Sequence, residues 1–77
     1  VMIYPNPTRD FIKLSSVSHQ LSAVRIYNCL GMLIDEIEIS SDEIEINVSG
    51  YRSGIYFINI QDEDGNVFVE KVLIMHN

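Results

Sequence analysis

The 77-residue sequence predicts an all-β sandwich of about seven short strands. Three observations carry that expectation. Apolar and polar residues alternate with period two, as a strand with one buried face requires. Turn-forming residues recur at roughly the 8–12-residue spacing of a sandwich. No stretch holds apolar residues at helical spacing over several turns.

The first apolar piece, VMIY (1–4), runs into a rigid break, YPNP. Proline fixes φ and donates no N–H, so Pro5 and Pro7 do not belong in a paired central strand. The residue ahead of each, Tyr4 and Asn6, is pushed towards extended geometry. The segment reads as a stiff, extended elbow leading into a second strand, DFIKL (10–14). After the polar interval SSVSHQLS (15–22), AVRIYN (23–28) sets Val24 and Ile26 against Arg25 and Tyr27. The turn NCLG closes on Gly31 and releases MLIDEIEI (32–39). Beyond SSD (40–42), EIEINV (43–48) alternates strictly, with Ile44, Ile46 and Val48 on one face. SGYRSG then brings in Gly50 and Gly54 ahead of GIYFINIQ (54–61), and DEDGN (62–66) leads to VFVEKVLIM (67–75). Both late strands are rich in β-branched and aromatic residues, favoured on a pleated surface. The expected form is an immunoglobulin-like Greek-key sandwich without a disulfide, since Cys29 is the only cysteine.

Charge predicts one feature of the connectivity. Six of the eleven acids, Asp35, Glu36, Glu38, Asp42, Glu43 and Glu45, fall within 35–45. Like charges directly opposite across a ladder repel. In a tight hairpin of 32–39 with 43–48, Glu36 or Glu38 could face Glu43 or Glu45, so the chain is expected to cross between sheets near Ser40–Asp42, with an ordinary hairpin as the close rival.

Composition excludes several classes of function. A chain of this length makes one domain, residues 1–77, near the lower size limit for folding on a core alone. Five Lys and Arg against eleven Asp and Glu, for a net charge of −6, leave no basic stripe to neutralise a phosphate backbone, so no nucleic-acid partner is expected. No apolar run approaches the length of a spanning helix, so no membrane insertion is expected. Val1 in place of an initiator methionine makes the chain look excised from a larger secreted precursor.

The stretches that look chemical have plainer readings. DEDGN starts like a calcium loop, but its positions 6 and 12 hold Val67 and Leu73 where an EF-hand needs Gly and Glu, so a tight turn at Asp64-Gly65 is favoured. The acids at 35–45 read as the solvated face of alternating strands rather than as a glycosidase pair. His19 and His76 are far apart in sequence, and no acid or thiol is expected around either. No catalytic, cofactor-binding or metal-binding residue is predicted, no cofactor is required, and the chain is not expected to be an enzyme.

Taken together and in order, YPNPTRDFIKL, VRIYNCLGMLI, SGIYFINI, the DGN turn and the terminal EKVLI resemble the C-terminal sorting domain of the type IX secretion system of Bacteroidetes. The similarity covers essentially the whole chain. It implies an immunoglobulin-like module at the end of a larger secreted protein, passing through the periplasm and reaching the cell surface or the medium. The implied partners are the outer-membrane translocon, a sortase-like protease that commonly removes the domain, and an N-terminal cargo domain in cis. The motif residues carried over are Tyr4, Pro5, Asn6 and Pro7, Gly31, Gly54 and Tyr56, and Lys71, Val72, Leu73 and Ile74. Each also has a structural explanation: Gly31 and Gly54 as backbone turns, Tyr56 as packing. The chain departs from the family in having a lone Lys71 after Glu70 and no basic tail, and in having Tyr51 where an aliphatic residue is usual.

Edge physics adds a mechanism. With Glu70 and Lys71 as its only charged guards, the last strand is expected to be an exposed edge to which the translocon adds a strand. Such an edge also allows weak pairing of two copies. The competing reading is a non-catalytic accessory module, binding carbohydrate through Tyr27, Tyr51 and Phe57 or acting as a spacer.

Overall fold

In a computed structural model, which describes residues 1–76, all seven strands are present: β1 (Met2–Tyr4), β2 (Phe11–Ser15), β3 (Leu21–Asn28), β4 (Leu33–Ser41), β5 (Glu43–Asn47), β6 (Gly54–Asp62) and β7 (Val67–Ile74). They form two antiparallel sheets, ordered β1-β2-β5 and β4-β3-β6-β7. Successive strands β4 and β5 lie in different sheets, so the chain crosses where the acids predict. Glu36 then stands opposite Arg25 and forms an ion pair with it, while Glu45 stands opposite Lys13 and Glu43 opposite Ser15. The crossover turns a potential run of like charges into opposite-charge and neutral pairs.

Most strand bounds shift by one or two residues from the sequence reading, and two differences matter for the fold. β3 starts at Leu21 rather than Ala23, because the ladder resumes beyond a bulge and pairs Leu21 with Ser41 on one side and Asp62 on the other. Leu21 is buried there, so the polar interval before it ends in a core residue. The elbow also does not run extended. β1 and β2 pair antiparallel, Met2 opposite Ser15 and Tyr4 opposite Lys13, so the chain must reverse between them, and residues 5–7 bend.

The core lies between the sheets. Ile12, Leu14 and Ile46 project from the three-stranded sheet, and Val24, Ile26, Ile58, Ile60, Val72 and Ile74 from the four-stranded one. All are inward members of period-two strands, and alternation assigns Val24, Ile26 and Ile46 to a face from the sequence. At the corner before β6, Tyr56 is buried, and its hydroxyl donates to the Arg52 carbonyl at 2.7 Å. A buried tyrosine near the start of this strand that bonds backbone a few residues upstream is the tyrosine corner of immunoglobulin-like sandwiches.

Strand register separates the two ends of the sandwich. Asn28 opposite Tyr56 and Gly54 opposite Ile74 place the elbow, the β3–β4 turn and the corner before β6 at one end. Leu21 opposite Asp62, and Ser16 N–H donating to the Asp42 carbonyl, place the 16–20 loop, the crossover and the β6–β7 turn at the other.

A candidate docking edge

The proline elbow and the last strand form one hydrogen-bonded unit. The Asn6 side chain donates through Nδ2 to the Lys71 carbonyl at 3.0 Å and accepts through Oδ1 from the Leu73 N–H at 3.1 Å. Two residues on, Thr8 N–H donates to the Leu73 carbonyl at 2.9 Å, and Met75 N–H donates to the Thr8 carbonyl at 2.9 Å. Thr8 is buried and its hydroxyl donates to the Phe11 carbonyl, which anchors the elbow against the body. Sequence reasoning stopped at Pro7 and missed Thr8. The available signal was a small hydroxyl residue that could bond locally just after a proline break.

These contacts correct the expectation of a fully open last strand. Along an antiparallel strand, backbone groups point alternately towards the neighbour and away. Leu73 points away from β6 and into the elbow, so the other odd-numbered residues of β7 face outwards as well. The elbow covers the outward groups from the Lys71 carbonyl to the Met75 N–H. At Val67, Val69 and the Lys71 N–H the edge is open among the described residues. Side chains follow the same division: Val72 and Ile74 are buried in the core, whereas Val67 and Val69 are 55% and 59% exposed. Of the predicted terminal-strand residues, only Lys71 and Leu73 have exposed side chains.

The opposite edge of the same sheet is guarded. β4 carries exposed Asp35, Glu36 and Glu38, the kind of charge that discourages strand addition. The apolar part of the outer sheet face lies beside the elbow-covered half of β7, where Ile55 stands opposite Leu73, Phe57 opposite Lys71 and Tyr27 opposite Phe57; beside the open half, Asn59 stands opposite Val69 and Gln61 opposite Val67. Tyr51 does not join this face. Its ring packs against Tyr56 at 5.5 Å, and its hydroxyl lies 3.4 Å from Asp35 Oδ2. Burial, then the adjacent Asp35 carboxylate and its hydrogen bond, push the Tyr51 hydroxyl up to about 12. The three aromatic residues therefore do not make one carbohydrate platform.

The remaining motif residues sit where backbone geometry needs them. Gly31 has φ of 84° in the β3–β4 turn, a left-handed conformation costly for other residues. Gly54, with φ of 156°, opens β6 at the margin of that region. Tyr4, Pro5 and Pro7 are exposed on the elbow.

At the far end, DEDGN is the expected tight turn. Asp62 N–H donates to the Asn66 carbonyl and Gly65 N–H to the Asp62 carbonyl, with Gly65 at φ 86°. Contrary to expectation, His19 does have acids around it: its Nδ1 lies 3.0 Å from Asp64 Oδ2, with Asp62 adjacent. The sequence separates these residues widely, and it is the pairing of β3 with β6 that brings the loop before one beside the turn after the other. Burial acts to raise the Asp62 carboxyl. Hydrogen bonds from the Asn66 side chain and from the Asn66 and Asp64 amides, with His19 nearby, outweigh it and hold the group below the ordinary carboxylate value.

Comparison with known proteins agrees with the geometry. The chain is 35% identical over 75 residues to ulvan lyase NLR42 of Nonlabens ulvanivorans, covering 96% of the chain and 14% of the lyase. It is 31% identical over 70 residues to β-agarase A of Zobellia galactanivorans, covering 88% of the chain and 13% of the agarase. The chain thus spans about one seventh of the length of these relatives, so their enzyme names describe proteins mostly made of other segments. In structure it matches PorZ, an essential surface component of the type IX secretion system of Porphyromonas gingivalis. The TM-score is 0.77 at 21% identity, over 97% of this chain and 11% of PorZ, a likeness of fold. The family model for the secretion system C-terminal sorting domain matches residues 2–75, and it is to this family that the chain belongs.

Proposed function

We propose that this domain carries an N-terminal cargo across the outer membrane by presenting the open half of β7 to the type IX translocon, which adds a strand there. The supporting observation is the asymmetry of the four-stranded sheet. One edge is guarded by acids, and the other is half covered by the YPNP elbow and half open along exposed Val67 and Val69. Strand addition draws its affinity from main-chain bonds and tolerates sequence variation, which suits a translocon that must read many cargos. Within this reading the elbow residues Tyr4–Pro7 set how much of the edge is open, while Gly31, Gly54 and Tyr56 act through folding. Delivery ends at the cell surface or in the medium, and a sortase-like protease cuts between cargo and domain.

The test fuses the chain to the C-terminus of a fluorescent reporter bearing an inner-membrane export signal, in a Bacteroidetes host with and without the translocon. Surface or medium fluorescence that vanishes without the translocon is expected. Val69→Pro separates docking from folding, because the Val69 N–H points away from β6 and its loss removes no ladder bond. A folded Val69→Pro domain retained in the periplasm supports the docking edge; export at the unmodified rate refutes it. Truncation after Lys71 is a poorer test, since it removes Val72 and Ile74 from the core.

A further inference from the structure

At the end of the sandwich away from the elbow, we propose that His19, Asp62 and Asp64 form a binding site for a divalent transition cation of the zinc type. One ligand atom from each residue lies within 4.8 Å of the others. Around a tetrahedral cation with bonds of about 2.0–2.2 Å, donor atoms lie about 3.3–3.6 Å apart, so the trio closes on an ion by shifts of up to about 1.5 Å, taken up by rotation of the part-exposed His19 and Asp64 side chains. The donor set is one imidazole nitrogen and two carboxylate oxygens. The nitrogen favours zinc over the hard cations calcium and magnesium, which take oxygen ligands. Three protein ligands leave the remaining position to water.

The site is held by its surroundings rather than by the trio alone. Asp62 is 1% exposed. Its Oδ1 accepts from the Asp64 and Asn66 amides, each at 2.9 Å, and its Oδ2 accepts from Asn66 Nδ2 at 3.1 Å. An ionised carboxylate offers about four acceptor positions, so three are used and one remains on Oδ2. Glu63 N–H donates to the Gln20 carbonyl at 2.9 Å and ties the β6–β7 turn to the loop that bears His19. His19 N–H is in turn held by the Ser16 hydroxyl at 3.3 Å. The hollow alongside, lined by Ser16, Ser18, His19, Ser40 and Asp42 among others, gives water access to the cation. A bound ion would fasten the 16–20 loop to the turn that launches β7, next to Val67 at the start of the open edge.

The experiment titrates the chain with zinc chloride by calorimetry and follows its thermal midpoint. The unaltered chain is expected to bind one equivalent, with its midpoint rising by roughly 5–10 °C at ten times the dissociation constant. His19→Gln and Asp64→Asn, both at positions exposed enough to leave the fold intact, are each expected to weaken binding at least tenfold, and His76→Gln to leave it unchanged. Nitrogen chemical shifts are expected to move at His19 Nδ1. Binding that persists at full strength in either site variant, that is lost in His76→Gln, or that is absent at millimolar zinc overturns the assignment.

Discussion

The β3–β4 turn and the β6–β7 turn lie at opposite ends of the sandwich and solve the same backbone problem with the same bonds. In each, the first residue donates its N–H to the carbonyl of the fifth, Asn28 to Met32 and Asp62 to Asn66. The glycine at position four donates back to the first residue and takes φ of 84° or 86°. The first side chain accepts from the amides of positions three and five, Leu30 and Met32 in one turn, Asp64 and Asn66 in the other. What differs is the chemistry that the backbone does not use. The first turn exposes Cys29, Leu30 and Met32 at the elbow end, and the second exposes Glu63 and Asp64 beside His19. Position one and the glycine serve the fold, which leaves the other positions free to carry partner or ligand chemistry.

The comparison breaks most visibly at position one. Asp62→Ala is expected to destabilise more than Asn28→Ala, because the buried Asp62 carboxylate accepts three hydrogen bonds, from two amides and the Asn66 side chain, where the Asn28 side chain accepts two at an exposed turn. Water can replace the acceptor at the exposed Leu30 and Met32 amides, so Asn28→Ala is expected to cost only about 0.5–1.5 kcal/mol. Urea unfolding of both variants checks the order, and equal midpoints would mean that burial does not distinguish the turns. The glycines should instead behave alike. A Cβ added at Gly31 or Gly65 meets nothing within 4 Å, so only the left-handed backbone resists it. Gly31→Ala and Gly65→Ala are each expected to cost about 1–2 kcal/mol, and the double variant their sum. If Gly31→Ala abolished secretion while Gly65→Ala, equally destabilised, did not, Gly31 would have a role beyond folding.

A smaller effect tests the elbow end alone. Asn6→Ala removes two hydrogen bonds at an exposed site and is expected to cost about 1 kcal/mol. Its clearer signature is local. Exchange of the Leu73 amide should accelerate, while the Val72 amide, pointing at β6, keeps its protection. Uniform acceleration along β7 would show that the elbow supports the strand as a whole rather than covering its edge.

Much of this architecture was legible in the sequence because period two and turn chemistry are local signals. Val24 and Ile26, or Ile44, Ile46 and Val48, declare their face within a few residues, and the acids at 35–45 declare the crossover through repulsion. The candidate sites were only half legible, for the opposite reason. YPNP marked a break, but that Asn6 reaches Lys71 and Leu73 depends on a register set across the whole chain. His19 beside Asp64 likewise depends on Leu21 pairing with Asp62 beyond a bulge, which no local pattern encodes. The tyrosine corner falls between: the sequence placed Tyr56 in the core, and only the fold gave its hydroxyl an acceptor at Arg52.

The gentlest contrast between the ends is in alkaline solution. At the elbow end Tyr51 is held neutral, chiefly by burial and then by Asp35, and its hydroxyl is raised to about 12 from an ordinary 10.0. The folded state therefore binds the proton more tightly than the unfolded chain. The stabilisation this represents is complete below about pH 10, where both states are protonated, and is lost as pH rises from there through about 12. Tyr51→Phe keeps the ring packed on Tyr56 but has no proton to lose, so its stability should decline less steeply over that interval. Urea midpoints measured from pH 9 upwards decide the matter. Parallel slopes in the two proteins would show that neither burial nor Asp35 holds the Tyr51 proton more tightly in the folded chain, and would leave the apolar packing of the corner as the whole of its contribution.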